Sequence, residues 1–233
     1  MDSVYINDIR VFPFRSGDEL LDYIDTHKGI LVAINTQKVV DATQQTREII
    51  NRNIGYCDGA GVVLMLKRKG FQQATKIAGC DLWQRIAQKY CKDRSFYLVG
   101  GQQQVIEQTV LKLKKDFEGI NIIGYRNGFL ANKDEEQSLV DDIAQKKPDV
   151  VFVAMGSPKQ ELLMERMQKV LPNAIYQGLG GSFDVYTGNV PRAPKWWIDH
   201  NLEYAYRLIK QPSRFKRYSC LIKFAWLMMI KKL

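Results

Sequence analysis

With 233 residues, 45% hydrophobic and 25% charged, the chain is long enough for one α/β domain with a full core and a short appendage, and cramped for two full domains. A net charge of +9 at pH 7 would put nucleic acid first among partners, but the charge is not spread evenly. Residues 205–233 carry eight basic side chains and no Asp or Glu, which leaves 26 basic against 25 acidic side chains in residues 1–204. A neutral body with a basic tail offers no second basic groove, so nucleic acid is not the expected partner.

In chain order, Val4 to Phe14 reads as a short hairpin turning at Asn7-Asp8. Ser16 followed three residues later by Glu19 has capping-box spacing and predicts a helix through Leu20, Leu21 and Ile24. Apolar runs of strand length then recur at Ile30–Ile34, Ile54–Cys57, Phe96–Val99, Ile120–Gly124, Val150–Ala154 and Ala174–Gln177, separated by segments of helical periodicity. Continuous rather than alternating apolarity marks strands covered on both faces. The expected fold class is therefore α/β: a Rossmann-like, doubly wound, mostly parallel sheet with an N-terminal β-hairpin and a basic helical C-terminal appendage. The core is expected over residues 1–190 and the appendage over 191–233, because Pro191, Arg192, Pro194, Trp196 and Trp197 crowd together at the change of composition.

In such sheets ligands bind where strands end and helices begin. Gly100-Gly101 follows one strand and can let backbone approach a diphosphate, but neither G-x-G-x-x-G nor G-x-x-x-x-G-K-[ST] is present. Ser157-Pro158-Lys159-Gln160 has a hydroxyl at the cap, proline at the first helical position and glutamine three residues after the cap. That helix start either is simply capped or holds a phosphate or sugar hydroxyl beside Lys159 and Gln160. Asp58, in Tyr56-Cys57-Asp58-Gly59-Ala60-Gly61, is either a turn or cap residue or a general base, and Asp184 in Gly180-Gly181-Ser182-Phe183-Asp184 is open to the same two readings. Only His27 and His200 are present and no ligand set stands out, so no metal and no cofactor are expected. The cysteines Cys57, Cys80, Cys91 and Cys220 are expected as free thiols in a reducing compartment, and the first residues show no signal-peptide pattern.

In the tail, Phe215, Tyr218, Ile222, Trp226 and Met229 recur at steps of three or four among basic residues, the pattern of an interfacial amphipathic helix. The longest nearly apolar run, Cys220 to Ile230, is too short to span a bilayer. The tail is expected to rest on an anionic membrane surface; the alternative is a helix packed on its own domain or on a second subunit.

Taken together, the segments resemble the WecG/TagA/CpsF family of bacterial glycosyltransferases, glycosyltransferase family 26. The anchors are Asn35, Tyr56-Cys57-Asp58-Gly59-Ala60-Gly61-Val62, Gly79-Cys80-Asp81-Leu82, Met155-Gly156-Ser157-Pro158-Lys159-Gln160-Glu161, Gly178 to Asp184, Arg192 to Trp196, and Leu202-Glu203-Tyr204 through Arg207-Leu208, Pro212, Arg214 and Arg217. The resemblance implies inverting transfer of a sugar, N-acetylmannosamine-type or another hexose, from a UDP-sugar to a polyprenyl-diphosphate-linked saccharide in surface polysaccharide or teichoic acid synthesis. It makes Asp58 the candidate base, Asn35 and Gln160 pocket-lining polar groups, and Arg207, Arg214 and Arg217 appendage residues that close over the site. Three positions depart from the family's pattern: Ala33 stands where many members carry threonine, Lys76 where arginine precedes the Gly-x-Asp-Leu, and Gln211 where glutamate is common. Lysine keeps the charge but not the bidentate fork, so donor recognition is expected to differ. The implied location is cytoplasmic, peripheral on the inner face of the cell membrane, with a homo-oligomer allowed. A non-catalytic membrane-associated scaffold is the alternative function.

Overall fold

The computed structural model describes residues 2–200, 203–210 and 219–229. The chain opens with β1 (Val4–Ile6) and β2 (Ile9–Val11), antiparallel, with Val4 opposite Val11. The two turn residues, Asn7 (φ 48°) and Asp8 (φ 59°), are both left-handed, a conformation these two residue types tolerate better than most. Just past the hairpin Phe12 bridges Tyr56, its N–H donating to the Gly55 carbonyl at 2.8 Å. Helix α1 (Gly17–Thr26) starts as the spacing predicts: Ser16 Oγ accepts from the Glu19 N–H at 3.1 Å. The Glu19 carboxylate reaches back one residue further, to the Arg15 N–H.

Six parallel strands follow: β3 (Gly29–Ile34), β4 (Ile54–Cys57), β5 (Ser95–Gly100), β6 (Asn121–Arg126), β7 (Val150–Ala154) and β8 (Ile175–Gly178), in the spatial order β4-β3-β8-β7-β5-β6. Between them run α2 (Thr36–Asp41), α3 (Gln44–Arg52), α4 (Ala60–Arg68), α5 (Gly79–Tyr90), α6 (Gln103–Asp116), α7 (Lys133–Lys146) and α8 (Lys159–Val170), and α9 (Ser182–Tyr186) follows β8. The continuous apolarity of the strands has its cause in two cores. Ile30, Val32 and Ile34 pack with Val39, Ile49, Val62 and Met164 on one face of the sheet. Leu31 packs on the other face with Leu20, Trp83, Ile106 and Phe183.

All strand carboxyl ends lie along one edge. After β5 the chain runs outward through α6 to β6, whereas after β7 it runs the opposite way through α8 to β8, so the switch point lies between β5 and β7. Gly100 (φ 130°) and Gly101 (φ 69°) turn the chain there, and a Cβ at Gly100 would come 2.2 Å from the Ala154 carbonyl oxygen.

Past the core come α10 (Lys195–Asp199), α11 (Glu203–Lys210) and α12 (Ser219–Met229). Helix α12 packs on α2, burying Cys220 and Phe224 in the first core. Its opposite side carries Ile222, Trp226 and Met229, which are 76%, 54% and 72% exposed. Of the apolar stripe read from the sequence, Phe215 and Tyr218 lie outside the described residues. No described helix is long and apolar enough to cross a membrane.

One local expectation is corrected. Ser157 does not cap a helix, and Pro158 is not its first helical residue: after a cis Ser157–Pro158 bond, Pro158 holds the cap position and α8 begins at Lys159 without a side-chain cap. The chain turns earlier, at Gly156 (φ 76°), and the Gln160 side chain reaches back to accept from the Gly156 N–H at 3.1 Å.

Candidate active site

Asp58 stands at the carboxyl end of β4. Its N–H donates to the Ile34 carbonyl at 2.9 Å, which seats it beside the end of β3. Its Oδ1 accepts from the Gly79 N–H at 3.1 Å. Of the two readings of Asp58, this bond supports the cap: the first N–H it meets is that of α5, across the loop, and not of α4, which follows it and has no side-chain cap. The residue as a whole is half-buried. Burial pushes its pKa from 3.8 up to about 6; the Gly79 N–H, Lys76 and Lys38 pull it back down, and Glu203 pushes it up. At pH 7 such a group is mostly ionised yet more basic than an ordinary aspartate, the condition a general base requires.

The first turn of α2 adjoins it. Asn35 caps α2 by accepting the Lys38 N–H at 3.0 Å, and a Cβ at Gly59 would sit 3.3 Å from Asn35 Cα. Lys38 Nζ in turn pairs at 3.2 Å with Oε1 of Glu161, which is 1% exposed and whose Oε2 has no hydrogen-bond partner among the described residues. Gln160 is also buried: its Oε1 accepts from the N–H groups of Gly156 (3.1 Å) and Gly180 (2.9 Å). Its carbonyl thus ties the loop after β7 to the loop after β8. Lys159, one residue earlier, is exposed.

On the far side of Asp58, α5 is held by a residue just before α10. Arg192 makes a two-pronged ion pair with Asp81 in the first turn of α5, both contacts at 2.7 Å. The two thiols beside Asp58 are unsuited to nucleophilic attack: burial pushes Cys57 up to about 12 and Cys80 up to about 11. No disulfide joins any of the four cysteines. Beneath the site Gln177 Nε2 donates to the Tyr56 hydroxyl and the Gly79 carbonyl, each at 3.3 Å.

The structure thus gathers Asp58, Asn35, Lys76 and Gln160 around the ends of β4, β3, β8 and β7. Gly100 and Gly101 sit at the end of β5, four strand positions from β4, roughly 19 Å away at ordinary strand spacing. They mark a second stretch of the same edge rather than a part of the Asp58 cluster. Asp184 lies in α9, which packs beside α6. Glu203, at the start of α11, acts on the charges of Asp58, Cys80 and Arg192, so the beginning of that helix lies close to the site. The Arg207 side chain, Arg214 and Arg217 lie outside the described residues. Reading by motif left three contributors unassigned: Lys38, Glu161 and the Arg192–Asp81 pair. Lys38 sits three residues after a strand-end asparagine, a spacing that puts it on the first helical turn, but its partner is 123 positions away and no local pattern announces it.

Among the described residues no group of three or more His, Cys, Asp or Glu side chains could hold a metal ion. The family model for the glycosyl transferase WecG/TagA/CpsF family matches residues 6–233. The chain belongs to that family. The match begins at the last residue of β1 and takes in β2, the whole six-stranded sheet and the helices that follow it. WecG/TagA/CpsF members are glycosyltransferases of surface polysaccharide synthesis, and the family implies a sugar nucleotide and a lipid-linked acceptor as partners.

Proposed function

We propose that this protein is an inverting glycosyltransferase that moves a hexose, of N-acetylmannosamine type or another, from a UDP-sugar to a polyprenyl-diphosphate-linked saccharide at the inner face of the cell membrane. The observation that carries this reading is Asp58: a half-buried aspartate at a strand end, its carboxylate made more basic by burial and fixed through Oδ1 by the Gly79 N–H. The acceptor hydroxyl oxygen attacks the anomeric carbon and its proton passes to Asp58. The bond from that carbon to the diphosphate breaks, and the electron pair leaves with UDP. One displacement needs one base and a cradle for the leaving group, with no enzyme nucleophile.

No metal enters this scheme. The uncapped first turns of α4 and α8, together with Lys76 and Lys159, supply donors and positive charge along the edge, and Arg207, Arg214 and Arg217 of the appendage add to them on closure. The turn at Gly100-Gly101 admits close approach of the nucleotide end of an extended donor. Residues 191–233 act as a closing segment that also docks: α12 buries one side in the core and offers Ile222, Trp226 and Met229 to the bilayer beside exposed Lys223.

Calorimetric titration with UDP tests the nucleotide site. Saturable binding at one site per chain is expected; absence of any binding heat would turn the chain into a non-catalytic scaffold that retains the fold.

A further inference from the structure

The body of the protein is neutral only on average. Residues 59–80 contain Lys67, Arg68, Lys69 and Lys76 and not one Asp or Glu. This acid-free stretch begins next to Asp58 and includes α4, whose inner side (Val62, Met65, Leu66) enters the same core as Cys220 and Phe224 of α12. The two helices touch: a Cβ added at Gly61 would lie 3.1 Å from the Phe224 ring. On its outer side α4 exposes Leu64, at 43%, with Lys67 and Arg68, and the exposed Lys69 caps its carboxyl end. Positions 60, 64, 67 and 68 share one side of a helix of 3.6 residues per turn, and Gly61 lies on its flank. The outer side of α4 therefore borders α12, which turns Ile222, Trp226 and Met229 outward with Lys223.

We propose that α4 is the second half of the membrane-docking surface, with Leu64, Lys67, Arg68 and Lys69 meeting an anionic bilayer side by side with the outward face of α12. The occupant follows from the chemistry. A nucleic acid would leave four large apolar side chains without a function, whereas the boundary between headgroups and acyl chains takes both the apolar and the cationic groups. The position of α4 gives the surface a purpose. Its nine residues span about 13 Å, and its first turn follows Asp58 directly, so lipid seated on α4 lies within one short helix of the base. An acceptor whose diphosphate sits at headgroup level then reaches the site without leaving the bilayer. This inference rests on the membrane docking proposed above and extends it from the tail to the catalytic body.

The test is flotation of the full-length protein with vesicles of phosphatidylcholine and phosphatidylglycerol, and of phosphatidylcholine alone. Three variants are compared with the wild type at equal melting temperature: K67Q/R68Q/K69Q, Leu64→Gln, and K114Q/K115Q in the last turn of α6 on the opposite face of the sheet. The triple variant is expected to partition about ten- to a hundred-fold more weakly onto the anionic vesicles, and Leu64→Gln more weakly by a smaller factor. The α6 variant should float like the wild type. Undiminished flotation of both α4 variants would overturn the inference while leaving the tail as the anchor, and an equal loss in the α6 variant would overturn it by showing that only total charge matters. A wild-type protein that floats with neither vesicle would instead remove the membrane docking itself.

Discussion

If Asp58 is kept for chemistry, the fold should be more stable without its charge. Burial raises its carboxyl from 3.8 to about 6, so the native protein holds this proton more tightly than the unfolded chain does. The contribution is least unfavourable below pH 4, where Asp58 is protonated in both states. Stability is then lost as pH rises from about 4 through about 6. A shift of about two units corresponds to about 3 kcal/mol at pH 8. Asp58→Asn removes the ionisation and keeps an oxygen for the Gly79 N–H. The variant should match the wild type near pH 4 and exceed it by up to about 3 kcal/mol at pH 8. In a domain of this size that is a rise in melting temperature of about 6 to 12 °C. Thermal and urea melts of both proteins at the two pH values, paired with a transfer assay, measure it. A variant no more stable than the wild type at pH 8, or a difference that does not change with pH, would refute the reasoning.

Other perturbations follow from the same geometry. Replacing the buried pair together, as K38M/E161Q, removes a cation that favours ionised Asp58 without leaving Glu161 buried and unpaired. The acid limb of the transfer rate against pH should move to higher pH, whereas Lys38→Arg should leave it in place. Gln160→Leu strands the N–H groups of Gly156 and Gly180; a loss of about 2 to 4 kcal/mol in urea denaturation is expected, and an unchanged midpoint would argue against the clamp. Gly61→Val places new atoms where a Cβ already meets Thr36 Cγ2 at 2.6 Å and the Phe224 ring at 3.1 Å. Limited proteolysis should then cut within residues 211–233 sooner than in the wild type.

The sheet was legible because burial on both faces leaves uninterrupted apolar runs, and all six strands lie within about two residues of their predicted limits. The hairpin was legible because Asn7 and Asp8 tolerate the left-handed turn, and the start of α1 because Ser16 bonds a near neighbour, the Glu19 N–H. Asp58 was legible as a candidate by its place after a strand, but its partner in α5 was not, since Gly79 is brought to it only by the folded loop. The same holds for Lys38 with Glu161 and for Arg192 with Asp81: each pair is made by tertiary contact across more than a hundred positions. At Ser157 the local pattern pointed to a cap that the turn at Gly156 displaces. In the tail, helical spacing identified the apolar side that faces outward, while the inner side, Cys220 and Phe224, emerged only from the packing on α2.

The central claim is transfer with Asp58 as the base, and the most direct measurement incubates the full-length protein and its Asp58→Asn variant with labelled UDP-sugars and a polyprenyl-diphosphate-linked saccharide. The account predicts that at least one UDP-sugar labels the lipid fraction with the wild type and that none does with the variant. Near-normal labelling by Asp58→Asn would contradict the assignment of the base, and no labelling by the wild type from any UDP-sugar would contradict the proposed reaction.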